Sequence, residues 1–87
     1  MTRYTLLVKP SAQKELNALN DKKLIGRLVA KIEALIANPR PAGCRKLQGF
    51  RDLWRVRVGD YRIVYAIDDG SRCIDVTRIA QRSEVYD

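Results

Sequence analysis

Residues 44–65 read CRKLQGFRDLWRVRVGDYRIVY and carry six of the chain's seventeen basic residues together with its only tryptophan. Two alternating segments flank the dipeptide Gly59-Asp60, and a glycine in the first central position suits the mirror-image turns that two-residue hairpins prefer. The spacing predicts a β-hairpin, and the hairpin fixes a register: Val58 opposite Tyr61, Val56 opposite Ile63, Trp54 opposite Tyr65. One face is then apolar or aromatic throughout. The other consists of Arg55, Arg57, Arg62 and Val64.

In this register Arg57 and Arg62 face each other, a like-charge cross-strand pair that costs roughly 0.2–1 kcal/mol. A surface selected only for solubility would mix signs there. Guanidinium forks match phosphate oxygens in pairs, so three of them on one sheet face point to a polyanionic ligand. The plainer reading is a solvated arginine face balanced by Asp52, Asp60 and Asp75, but on the hairpin face itself no acid is interleaved among Arg55, Arg57 and Arg62, Asp60 being in the turn. Arg62 is expected on the exposed face, so that its loss would remove activity and leave folding nearly intact.

Eighty-seven residues form one domain, residues 1–87, large enough for a single modest core without metals or disulfides. The net charge of +7 and a sequence pI near 9.9 favour a negatively charged partner, and nucleic acid, an anionic membrane and an acidic protein all satisfy that condition. Five of six lysines lie in residues 1–43, and eight of eleven arginines in residues 44–87. The strand half therefore holds the groups suited to bidentate recognition. The two cysteines, Cys44 and Cys73, are too few for a disulfide scaffold and lack metal-ligand spacing. The apolar run within MTRYTLLVKP is too short for a signal-peptide core or a membrane span. A cytoplasmic protein with reduced cysteines and no membrane association is expected. The chain has no histidine, which removes the commonest general base and the commonest zinc ligand, and neither a metal nor a cofactor is expected.

Along the chain, residues 3–8 suit a short strand, and Pro10 and Ser11 supply helix-start chemistry. Ala12, Leu16 and Leu19 predict a helix from about 11 to 19, with Asn20-Asp21 ending it and offering a cap to the next. Leu24, Ile25, Leu28, Val29, Ile32, Leu35 and Ile36 form a wide stripe that predicts a core-facing helix from about 22 to 37, closed by Asn38-Pro39. Its opposite face carries Lys22, Lys23, Arg27, Lys31 and Glu33, read as a solvated face. The two helices should form an antiparallel hairpin. After the β-hairpin, Asp68-Asp69-Gly70-Ser71 signals another turn and Cys73 to Ile79 a final strand. With Asp69-Gly70 as a two-residue turn, Tyr65 faces Ile74, Ile63 faces Val76, Val64 faces Asp75 and Arg62 faces Thr77. Plain alternation then drops Arg78 on the core side, which this pattern does not explain. The expected architecture is α+β: an antiparallel sheet in the order β-α-α-β-β-β, with the N-terminal helical hairpin packed on one face.

These residues resemble the RelE/ParE superfamily of bacterial and archaeal toxins from toxin–antitoxin pairs. The likeness covers nearly the whole chain and is strongest in Lys46-Leu47-x-Gly49, Leu53-Trp54-Arg55-x-Arg57, Gly59-Asp60-Tyr61-Arg62-x-Val64-Tyr65 and Arg82-Ser83-Glu84-Val85-Tyr86. Within the superfamily the RelE branch looks closest. The resemblance implies a ribosome-dependent, metal-independent endoribonuclease that cuts messenger RNA by 2′-OH attack on the adjacent phosphate. It implies a cognate antitoxin, the ribosome and mRNA as partners, with the toxin alone a monomer and a hetero-oligomer with its antitoxin. By resemblance Arg55, Arg57, Arg62 and Tyr86 are the catalytic residues and Arg82 a basic residue of the tail; Arg45, Lys46, Arg78 and Arg82 are expected to hold the nucleic acid.

Chemistry supports part of this. The phosphorane transition state carries an extra negative charge that preorganised guanidiniums stabilise. Arginine is a poor general base, and tyrosine starts from a pKa of about 10. Gln81 stands where many relatives have histidine, which leaves Tyr86, Glu84 and Lys46 as candidates for the base and implies cleavage that leans on the ribosome to position the 2′-OH. Trp54, Tyr61 and Tyr65 share a face with Val56 and Ile63 and read as core aromatics rather than base-stacking platforms. Two other functions fit the same charge: a ParE-like toxin that binds DNA gyrase without cutting RNA, and a non-toxic basic RNA-binding module.

Overall fold

The computed structural model describes residues 3–49 and 52–81. Strand β1 (Thr5–Val8) leads into α1 (Pro10–Asn17), which has a proline in its first turn and buries Ala12 and Leu16. Helix α2 (Lys22–Ala34) starts at Asp21, whose side chain accepts a hydrogen bond from the Leu24 amide at 3.1 Å. An N-cap of this kind stabilises a helix by about 1 kcal/mol. The α-helical part of α2 ends three residues before the expected boundary. Its last turn tightens instead, with the Leu35 and Ile36 amides bonded to the Ile32 and Glu33 carbonyls at 3.1 and 3.2 Å, which satisfies carbonyls that a helix end otherwise leaves open.

Four more strands follow: β2 (Arg45–Lys46), β3 (Leu53–Val58), β4 (Tyr61–Asp68) and β5 (Cys73–Gln81), in the sheet order β1-β5-β4-β3-β2. The α+β class and the helical hairpin on one face are as expected, but the sheet is mixed rather than antiparallel. Strand β1 runs parallel to β5, from Thr5 opposite Cys73 to Val8 opposite Val76. Parallel neighbours need a long crossover connection, and here that connection is the helical hairpin and the three intervening strands. The extra strand β2 sets Arg45 opposite Arg55 and Lys46 opposite Trp54.

The β3–β4 register is the expected one in every pair, including Arg57 opposite Arg62. Gly59 takes φ +59, as the first central residue of a type II′ turn requires. The β4–β5 register differs from the expectation by two residues. The connection has four residues, 69–72, so Asp68 faces Cys73, Ile67 faces Ile74 and Tyr65 faces Val76. Asp68 accepts the Ser71 amide at 3.2 Å, and Arg72 takes φ 54, which together close a wider turn than Asp69-Gly70 alone would make. A slip of two leaves every side chain on its expected face.

A bulge then interrupts this pair between Val64 and Tyr65. Thr77 is the additional residue, and its Oγ1 donates to the Val64 carbonyl at 3.2 Å. Beyond it Arg78 faces Val64 and Ile79 faces Ile63. The bulge thus moves Arg78 off the core side and puts Ile79 in its place, which accounts for the break in alternation. Because β1 stops at Val8, the far end of β5 meets α1 instead: Glu15 accepts the Ile79 amide at 2.9 Å and the Arg78 guanidinium at 3.0 Å.

The core lies between the helices and the apolar sheet face, with Leu28, Leu35, Ile63, Tyr65, Ile74 and Val76 fully buried in it. Tyr65 donates its hydroxyl to the Pro39 carbonyl at 2.7 Å, and burial pushes its phenol pKa upward. Next to it the Arg40 guanidinium lies 4.9 Å from the centroid of the Trp54 ring and forks onto Asp69 at 3.2 and 2.9 Å. Tyr4 donates to the same carboxylate at 2.7 Å, and its amide bonds the Ile36 carbonyl at 3.0 Å. These contacts tie the start of β1, the end of α2 and the β4–β5 turn into one latch. Arg40, and after it Tyr4, hold the Asp69 carboxyl below its ordinary pKa.

Removing the Tyr65 hydroxyl leaves a carbonyl without its donor, so Tyr65→Phe should destabilise the fold by about 1 kcal/mol in urea unfolding. Asp69 contributes stability that is present above its unfolded-state pKa and lost as pH falls through the lower folded value. Asp69→Asn should therefore lower the urea midpoint at pH 7, and the deficit should close as the solution is acidified below the carboxylate range. The latch is solvent-exposed, so added salt should also shrink the difference.

Candidate phosphate-binding face

The face of β3 and β4 turned away from the helices carries the arginines. Arg55 faces Val64, Arg57 faces Arg62, and on the other side of β4 Arg62 faces Ala80 and Val64 faces Arg78. Arg55 and Arg62 are each only 3% exposed, whereas Arg57 is exposed. The expectation that Arg62 lies on an open surface is therefore overturned. Strand β4 is central, with β3 and β5 on its two sides, and an arginine there can lay its aliphatic stem across its neighbours. Val64 and Ala80, at 3% each, are buried on the same face. Arg55 lies under β2, and its Nη1 donates to the Gly43 carbonyl at 3.3 Å.

The predicted residues thus fall into separate groups. Arg55, Arg57 and Arg62 are gathered on one face, and Arg45, exposed and paired with Arg55, extends it. The bulge brings Arg78 to the same face, where its guanidinium is engaged by Glu15 of α1 at 3.0 Å. Lys46 is exposed but is paired with Trp54, which puts it on the opposite side of the sheet from the arginines. Arg82, Glu84 and Tyr86 lie outside the described residues. Glu15 was missed by sequence reading: its role depends on where β1 ends against β5, which no local pattern in α1 encodes. The second like-charge pair, Arg45 with Arg55, was missed because a strand of two residues gives no alternation to read.

Chemically this is a rigid cationic surface. Two guanidiniums sit within the sheet and a third stands at its exposed margin, so a bound phosphate would meet charge whose position is already fixed. Guanidinium groups as a class stay protonated and offer donors only, so the three can stabilise an anion but cannot take up a proton. Among the described residues no group of three or more His, Cys, Asp or Glu is arranged to hold a metal ion. No described helix is long and apolar enough to cross a membrane. Cys44 and Cys73 are free thiols.

Residues 6–86 match the family described as the ParE toxin of type II toxin–antitoxin systems, parDE. The chain is 32% identical over 83 residues to Toxin RelE of Mycobacterium tuberculosis (strain ATCC 25618 / H37Rv), a match that covers 95% of this chain and 86% of that protein. In structure it resembles a chain of the archaeal RelE–RelB complex from Pyrococcus horikoshii OT3, with a TM-score of 0.82, 28% identity and coverage of 98% and 100% of the two chains. A chain of the intact E. coli RelBE toxin–antitoxin complex gives a TM-score of 0.76 at 26% identity, covering 90% of this chain and 95% of that one. Since these likenesses run through both the helical hairpin and the arginine-bearing strands, the chain belongs to the RelE/ParE family of toxins of type II toxin–antitoxin systems.

Proposed function

We propose that this toxin is a ribosome-dependent endoribonuclease that cuts messenger RNA and so inhibits translation, and that a cognate antitoxin protein neutralises it. The observation that carries the reading is the position of Arg55 and Arg62, buried in the sheet to 3% exposure beside the exposed Arg57. With Arg57 they place three guanidiniums side by side on one sheet face, and guanidinium forks match phosphate oxygens in pairs. That suits a reaction whose charge builds up on one phosphate.

In the proposed reaction the ribose 2′-oxygen attacks the adjacent phosphorus, the bond from phosphorus to the 5′-oxygen breaks, and the products are a 2′,3′-cyclic phosphate and a 5′-hydroxyl. The 2′-OH loses a proton and the leaving 5′-oxygen gains one. Arg57 is assigned direct contact with the phosphate oxygens, and Arg55 and Arg62 the stabilisation of the extra charge in the pentacoordinate transition state. Proton transfer falls to other groups, among which Tyr86 keeps the catalytic role that the family resemblance implies, while Arg82 helps to hold the nucleic acid. The guanidiniums supply the charge that a metal ion supplies in other nucleases, so the scheme contains no metal or cofactor. The antitoxin follows from relatives that were solved as RelE–RelB and RelBE complexes. On this reading the toxin is a monomer alone and a hetero-oligomer with its antitoxin, in the cytoplasm.

The match to the ParE family favours a second reading, in which the chain binds DNA gyrase and cuts no RNA. Primer extension on mRNA held in translating ribosomes separates the two. New ends at codon-periodic positions, absent from the same RNA without ribosomes, are expected from the nuclease. The absence of new ends on both templates would support the gyrase reading and recast the arginine face as an antitoxin contact.

The burial pattern also separates the arginines. Arg57→Ala should lower cleavage by about 10²–10³-fold, the usual loss of one transition-state donor, with an unchanged melting temperature. Arg62→Ala should lower cleavage and also destabilise the fold, by about 1–3 kcal/mol, measured by urea unfolding of the same preparation. Full cleavage by a folded Arg57→Ala toxin would remove the assignment of that residue.

A further inference from the structure

Helix α2 carries Lys23, Arg27 and Lys31 at a spacing of four, in one row along its surface. Sequence reading treated this row as a solvated face. The fold brings it against the tip of the β3–β4 hairpin: a Cβ added to Gly59 would lie 3.6 and 3.7 Å from the two terminal nitrogens of Arg27. Beside this contact is an open cleft of about 440 Å³. Ala30, Ala34 and Val58 give it an apolar floor, and Arg27, Lys31 and Arg57 a cationic rim.

Among the described residues the rim contains no acid. The cleft on the other side of Arg27 differs in that Asp21 and Asp60 line it, which makes it a poorer place for an anion. Three other cations of the chain are paired: Lys9 with Asp75 at 2.9 Å, Arg40 with Asp69 at 2.9 Å and Arg78 with Glu15 at 3.0 Å. Neither Arg27 nor Lys31 takes part in an ion pair of this kind among the described residues. Like charges four apart on a helix repel, so the row costs helix stability with no internal acid to offset it. Arg57 belongs to both the cleft and the guanidinium face, which makes the two surfaces continuous around the β3 margin.

We propose that this cleft binds a phosphodiester of the RNA strand flanking the one held at the guanidinium face, with Arg27 and Lys31 as its ligands. The inference rests on the RNA-cleaving reading above and adds a binding subsite to it. The small alanine side chains leave room for the sugar to approach the floor while the phosphate meets the rim. Phosphate contacts of this kind carry no sequence information and fix the register of the strand. The site would therefore align the message over the arginine face rather than select a codon.

The test is the salt dependence of binding to a 2′-O-methylated single-stranded RNA, which cannot be cleaved by 2′-OH attack, read by fluorescence anisotropy. At roughly 0.7 per phosphate contact on single strands, Arg27→Gln with Lys31→Gln should reduce the slope of log Kd against log salt by about 0.7, with a roughly tenfold loss of affinity at low salt. A pair of equal charge change far from the cleft, Lys14→Gln with Arg72→Gln, should leave the slope close to wild type. If the double variant loses stability, Arg27→Gln alone should show half of the slope change. An unchanged slope overturns the proposal. So does an equal loss in the control pair, which would make the effect one of net charge, and so does a failure of the wild-type chain to bind the RNA. Because the probe is not cleaved, a negative ribosome assay together with the expected slope change removes the nuclease reading and keeps the cleft as an RNA site.

Discussion

The two-residue turn at Gly59-Asp60 is the constraint on which the sheet depends. Once Gly59 takes its left-handed conformation, β3 and β4 have one register, and side chains alternate between faces with no freedom left. The same step that sends Val56, Val58, Ile63 and Tyr65 into the core therefore forces Arg57 opposite Arg62. The apolar face buries several large side chains, each contributing about 1.5–3 kcal/mol. The like-charge pair opposes this with roughly 0.2–1 kcal/mol. Burial wins by a wide margin, so the fold can carry a cluster of arginines that would not assemble by itself.

The central position of β4 turns this cluster from a charged surface into a fixed one. Strands on both sides restrict the Arg62 side chain, and β2 does the same for Arg55. Side-chain entropy for an arginine is worth up to about 2 kcal/mol, and in such a setting it is lost on folding rather than on ligand binding. On the reaction proposed above, a phosphate at this face would meet guanidiniums whose positions are already restricted.

Much of this was legible because it is local. The hairpin register follows from two residues of turn and from alternation on each side, and the N-cap of α2 follows from Asp21. The β4–β5 pairing was legible only in its faces. A four-residue turn and a two-residue turn preserve the same alternation, so the pattern of Ile74 and Val76 cannot separate them. The bulge at Thr77 left a trace in the sequence, the misplaced Arg78, but its meaning required the neighbouring strand. The parallel docking of β1 and the burial of Arg55 and Arg62 depend on elements far apart in the chain. A single strand's pattern shows which face is apolar; it does not show whether its polar face will be open or covered.

Charge is sorted along the sheet in the same way as packing. At the β4–β5 turn, cations are matched: Arg40 is held by Asp69, with Tyr4 on the same carboxylate, and nearby Lys9 pairs with Asp75. These contacts close the N-terminal strand and the loop after α2 onto the core, and they bring acids and bases together where the chain must be stapled. At the Gly59 turn, Arg27, Lys31 and Arg57 surround one cleft with no acid among its described lining residues, while Asp21 and Asp60 line the cleft on the other side of Arg27. The net charge of +7 is therefore not spread evenly over the molecule. Ion pairs to Asp69 and Asp75 gather near the β4–β5 turn, and three cations gather around the cleft at the hairpin tip. An RNA strand drawn in by the long-range field would be guided toward that end, where the arginines beside the turn are already positioned.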